Sequence, residues 1–175
     1  MVATEQIFNY SPYGKTTLSH WLNKGYLTDS PLFIERKFNN MCPSLIYLTT
    51  TTATLVLSNG IIPLTTIQRR SGCAIESGTN NVLLKKPGYY KISGTITFTA
   101  PASGLVTIQA QKNNVDVPGL LASGTVTTAT TEVNTLPITG YIRVFCSEAP
   151  VTLTLVNTGI AITVSNVSLT IDYED

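Results

Sequence analysis

The chain has 175 residues, a formal net charge of +1 and only 12% charged residues, roughly half the share usual for a soluble domain. That length suits one domain with an appendage, and the weak charge argues against a nucleic-acid footprint while letting copies of the chain approach one another. Three scattered cysteines and one histidine offer no spacing suited to a structural metal site.

Residues 1–40 differ from the rest. They hold His20 and Trp21, several other aromatics and no sustained period, and Pro12, Gly14, Gly25 and Pro31 interrupt them. Thr17 to Lys24 is expected to make two helical turns, capped by Thr16 or Thr17 and closed by Gly25. Gly14 to Thr17 looks like the end of a phosphate loop, but Asn9 stands where that motif needs glycine. We read this stretch as an irregular N-terminal arm whose aromatics need a surface to pack on.

Residues 41–175 read as strands. Leu45 to Leu57 is β-branched and apolar and ends at the turn Ser58 to Gly60. Ile61 to Ile67 is a short strand that Pro63 confines to an edge. Cys73 to Glu76 and Asn81 to Leu84 are short strands, with turns at residues 77–80 and 85–88. In the clearest strand Tyr90, Ile92, Gly94, Ile96 and Phe98 share the core face, where Gly94 leaves room for a large opposing side chain. Leu105 to Gln111 points Val106, Ile108 and Ala110 inward. Val115 to Gly119 reads as a hairpin-like connection with Pro118 at an edge, and Gly124 to Ala129 as a Thr-rich strand.

Pro137 to Cys146 places Ile138, Gly140, Ile142, Val144 and Cys146 on one side, which predicts Cys146 as a small buried hydrophobe. Tyr141, Arg143 and Phe145 fall on the other side, where large aromatics need a partner. Val151 to Val156 and the turn Asn157 to Gly159 lead into the final strand. There Ile160, Ile162 and Val164 share one parity and Val167, Leu169, Ile171 and Tyr173 the other, which predicts a bulge near Ser165 and Asn166. The fold class expected is all-β, a two-sheet antiparallel jelly roll after an irregular arm.

The pattern does not favour an enzyme. Glu76, Asp116, Glu132 and Glu148 read as separate turn residues, and His20 lacks a neighbouring Cys or Asp to orient it. Asp172 to Asp175 would bind a cation only if several chains met on an axis, and no cofactor is expected. Asn166 to Ser168 fits the glycosylation pattern but reads as the bulge. The loops Lys112 to Pro118 and Thr130 to Asn134 carry groups that can hydrogen-bond a sugar or a protein, yet no Trp or Tyr in the loops stands beside them. The apolar runs fall short of the roughly 20 residues needed to cross a bilayer, so no membrane insertion is expected. The first residues carry no basic-then-apolar leader, so synthesis is expected in the cytoplasm.

Lys86 to Phe98, Gly104 to Ala110, Val115 to Gly119 and Leu153 to Gly159 together resemble the C1q/TNF-like jelly rolls. The likeness is to those of bacterial collagen-like surface proteins and of gut-phage structural proteins. It spans roughly the last 100 residues and implies a homotrimeric knob, with Tyr89, Tyr141 and Phe145 at the trimer interface. No Gly-X-Y stem is present. In its place the arm is similar to the capsid anchor of phage head fibres and decoration proteins. That likeness implies Tyr10, Tyr13, Trp21, Tyr26 and Phe33 as docking side chains on a major capsid or other virion protein. Other expected settings are a receptor- or glycan-binding module of a phage tail and a structural protein of a bacterial spore or cell surface.

Overall fold

The computed structural model describes residues 43–174. Twelve strands run through them: β1 (Leu45–Thr50), β2 (Thr54–Val56), β3 (Gly60–Ile61), β4 (Thr66–Ser71), β5 (Ile75–Ser77), β6 (Val82–Leu84), β7 (Gly88–Thr99), β8 (Gly104–Lys112), β9 (Val115–Val126), β10 (Asn134–Val144), β11 (Val151–Asn157) and β12 (Ile162–Glu174). They form two six-stranded antiparallel sheets. One runs β10-β7-β12-β1-β4, with β2 also on β12; the other runs β5-β6-β11-β8-β9, with β3 also on β11. This is a two-sheet jelly roll.

Alternation builds the core. Tyr90, Ile92, Ile96 and Phe98 of β7 are fully buried, as are Val106, Ile108 and Ala110 of β8 and Val167, Leu169 and Ile171 of β12. Each Val, Leu, Ile or Phe side chain so buried contributes about 1.5–3 kcal/mol. The β12 register shifts between Val164 and Asn166, so the predicted bulge lets Ile162 and Val164 join the core beside the second half of the strand.

Several sequence expectations are corrected. Leu45 to Leu57 is not one strand: β1 pairs with β12 up to Thr50–Val167, and β2 resumes at Thr54–Val164, so the gap lies opposite the bulge. Thr50 ties down the break, since its Oγ1 donates to the Pro63 carbonyl at 2.7 Å. Ile61 to Ile67 divides between β3 and β4, and Arg69 and Arg70 lie within the exposed edge strand β4. Val115 to Gly119 belongs to β9 itself. The Thr-rich strand starts earlier and ends at Val126.

Cys146 is exposed, because β10 ends at Val144 and the alternation ends with it. Glu76 and Asp116 lie in β5 and β9 rather than in turns. Gly94 makes room for a large side chain opposite, since the buried Leu169 pairs with it and brings its Cδ1 to 3.0 Å from where a β-carbon would stand. A β-carbon there would overlap the Ser168 carbonyl oxygen of β12, so the glycine permits close approach of the neighbouring backbone.

Candidate binding surface

Tyr89 and Tyr141 point away from the core on β7 and β10, and Phe145 follows β10; they are 48%, 54% and 46% exposed. The register sets Arg143 opposite Tyr89 and Tyr141 opposite Lys91. The guanidinium carbon of Arg143 lies 4.6 Å from the Phe145 ring centre and 5.5 Å from that of Tyr89. Tyr89 and Phe145 therefore share an intrachain partner, through a cation–π contact worth about 0.5–1 kcal/mol at an exposed site. Tyr141 makes no hydrogen bond or ring contact with the described residues. Docking candidates Tyr10, Tyr13, Trp21, Tyr26 and Phe33, like His20 and Cys42, lie outside the described residues.

Beyond this cluster the same sheet face is a field of hydroxyls. Thr135 and Thr139 of β10, Ser93, Thr95 and Thr97 of β7, and Ser168 and Thr170 of β12 occupy facing outward positions. Thr97 and Thr135 bridge through their hydroxyls at 3.0 Å. The charged partners on these three strands, Lys91, Arg143, Asp172 and Glu174, gather at one end of the sheet.

Beside Arg143, a groove of about 500 Å³ opens against the β8–β9 hairpin. Its lining includes Lys112, Asn113, Asp116, Pro118, Arg143 and Glu148. Asn113 and Asn114 turn the hairpin with φ of 50° and 65°, the left-handed pair that a two-residue turn requires. The Asn113 Oδ1 accepts from the Thr152 N–H at 2.8 Å, pinning the tip to β11. Ladder pairing then lapses between Gln109–Leu121 and Gln111–Asp116. Across that gap the Gln109 amide donates to the Val117 and Ala110 carbonyls at 2.9 Å and to Leu120 at 3.2 Å. This buried glutamine holds the bulged wall in place. Lys112 closes the other side, donating to Glu148 Oε2 at 2.9 Å and lying 5.8 Å from the Phe145 ring centre.

The carboxylates act as braces. Lys85 holds the Glu76 carboxyl below its ordinary range, and Lys112 does so for Glu148. The backbone N–H groups of Thr128 and Thr127 do it for Glu132. This direction suits a charged contact and opposes that of a general acid. No group of three or more His, Cys, Asp or Glu among the described residues could hold a metal ion. Among them, no helix is long and apolar enough to cross a membrane.

Sequence reasoning singled out Lys112 to Pro118 as a binding loop, and these residues, Asn114 apart, line the groove; it placed Arg143 outward without its ring contacts, and it missed Gln109 and Glu148. Parity carried part of the signal for Arg143. Nothing in the sequence brings Phe145 to Lys112, since that contact joins the ends of β10 and β8.

No protein-family model matches the sequence, and no curated protein matches it. Solved structures do share the fold. Murine APRIL superimposes with a TM-score of 0.58 at 10% identity, over 75% of this chain and 99% of that one. The fold is a C1q/TNF-like jelly roll. The globular domain of zebrafish complement 1qA protein gives 0.54 at 4% identity, over 74% of this chain and 95% of its own. PRD1 vertex protein P5 gives 0.51 at 15% identity, over 77% and 99%. At these identities the C1q/TNF-like likeness is one of fold.

Proposed function

We infer that this chain is a non-enzymatic binding and display module, a homotrimeric β knob that presents its loops to a receptor or glycan and is mounted through residues 1–40. The observation that carries the reading is the outward face of β10, β7 and β12. It combines a broad uncharged hydroxyl field with exposed Tyr141 at one end. Water solvates the hydroxyls, whereas the exposed Tyr141 ring, flanked by Tyr89 and Phe145, makes an apolar patch that a second copy would cover, and the uncharged field beside it raises no charge repulsion. In this reading Tyr10, Tyr13, Trp21, Tyr26 and Phe33 are the docking side chains of the arm.

Light scattering on the intact protein tests the assembly. The expected mass is three times that of the 18.8 kDa chain, and Tyr141→Glu is expected to give a folded monomer. A monomeric parent, or an oligomer indifferent to Tyr141→Glu, overturns it. Specific retention of the intact protein on cells or immobilised glycans tests the binding role, and retention no greater than that of an unrelated β protein overturns that.

A second reading, a virion head fibre or capsid decoration protein, is favoured by the likeness to PRD1 vertex protein P5. It places the knob on the capsid surface, with a major capsid protein under the arm. Mixing the intact and arm-deleted proteins with particles separates the two settings. Loss of capsid binding on deletion supports the virion reading, and unchanged decoration counts against it.

A further inference from the structure

We propose that the outer edge of β4 is a docking site for an acidic extended peptide, which adds to the sheet as a further strand with its carboxylates against Arg69 and Arg70. The site is independent of the trimer contact, because β1 separates β4 from β12 and from the face assigned to a second copy.

β4 ends its sheet and pairs only with β1. All six of its residues are exposed, whereas every other strand of three or more residues buries at least one. Among the described residues no backbone–backbone hydrogen bond outside that pairing reaches residues 66–71. The outward N–H and C=O groups of such an edge are a template for one more strand, and main-chain bonds supply the affinity when an extended peptide adds there. Ile67 offers an apolar contact at the same margin. It stands opposite fully buried Leu48 on the core-facing parity yet is 46% exposed, so a β-branched residue set beside it would extend the core by one side chain. The irregularity in β4 does not block the edge. Gln68, the extra residue at the register shift, donates to Thr49 Oγ1 on β1 at 2.9 Å and so folds back into the sheet.

Charge selects the strand. Arg69 and Arg70 are successive, so they project to opposite faces of β4 and would flank an added strand on both sides. Neither makes a hydrogen bond or ion pair with a described residue. Glu76 feels Arg70, but its carboxylate is bridged to Lys85. Asp172 is two strands away, opposite Lys91. Each acidic neighbour thus has a lysine, and the two arginines remain in excess. They repel a second copy of β4, which would add two more arginines to the same edge, and attract carboxylates at the opposed positions. Charged side chains commonly guard an open edge against aggregation, and guards of one sign still admit a strand of the other. A nucleic acid or acidic glycan would use the arginines alone, whereas an acidic peptide also uses the backbone edge and Ile67.

Fluorescence anisotropy of the intact protein with a labelled peptide, TVEETVTV, tests this. Antiparallel to β4, the peptide sets its glutamates against Arg70 and Arg69 and its second valine against Ile67. Saturable binding is expected, weakened about fivefold or more in the Arg69→Gln/Arg70→Gln double variant and on replacing both glutamates with lysine. The peptide TPEEPVPV keeps both carboxylates but lacks the donors and freedom of a strand, and is expected to lose binding. On saturation with TVEETVTV, hydrogen exchange should slow in residues 66–71 and not in β9 or β10. That measurement on the parent protein decides the matter if the double variant does not fold. No saturable binding, equal binding of the lysine or proline peptide, indifference to the two arginines, or protection confined to another strand overturns the proposal. A mass that rises with concentration, with β4 amides protected before peptide is added, overturns it in favour of a second copy.

Discussion

Tyr90 shows how a single residue serves both core and turn. Its ring is fully buried, and its hydroxyl donates to the Lys86 carbonyl at 2.7 Å, tying the strand to the turn before it. Burial pushes the phenol up to about 12. In the unfolded chain the group ionises near pH 10, about its ordinary value. The raised value therefore supports stability fully below about pH 10, and this support is lost as pH rises towards about 12. Urea titrations at about pH 9 and about pH 11.5 are expected to show a lower midpoint at the higher pH, with a smaller fall in Tyr90→Phe. An equal fall in both proteins would assign the pH dependence to other groups.

At the scale of the element, β7 and the β8–β9 hairpin depend on different devices. β7 lies between β10 and β12, and Gly94 lets the Ser168 carbonyl come close. Gly94→Ala is expected to force those strands apart and cost about 1–3 kcal/mol, read as a lower denaturation midpoint with the same slope. The hairpin depends on Gln109, whose amide serves three carbonyls across the interrupted ladder. Gln109→Leu should leave those carbonyls short of donors and cost about 1–3 kcal/mol. Hydrogen exchange should quicken around Val117 to Leu121 first, and uniform quickening would mean that the glutamine has no local role. The β7 device was legible in the sequence as a glycine on a core-facing parity that leaves room for a large side chain, which is Leu169; the close Ser168 carbonyl was not legible. The Gln109 device was not legible, because a glutamine within a strand looks the same whether its amide meets water or three carbonyls.

Over the whole molecule, the motifs behind the family resemblance have local physical reasons. Asn157 is buried and its amide donates to the Ile160 carbonyl at 2.7 Å, while Gly159 fits where a side chain would overlap the Leu105 carbonyl. The turn from Asn157 to Gly159 therefore closes against β8 only with these residue types. Among the described residues the buried cluster runs from Ile46 to Ile171. Residues 41–175 produced alone are expected to melt cooperatively, in circular dichroism, within a few degrees of the full chain. A non-cooperative transition would show that the arm is part of the core.

By itself the sequence determined the all-β class, the core faces of β7, β8 and β10 and the bulge in β12, since a period of two is local information carried by adjacent residues. It also determined that Tyr141 and Arg143 point outward. Only the tertiary structure decided where alternation stops, which exposed Cys146, and what meets across the sandwich edge. Phe145, Arg143, Lys112 and Glu148 come together because the ends of β10 and β8 and the turn after β10 converge. That convergence depends on strand order and register, which parity along a single strand does not encode.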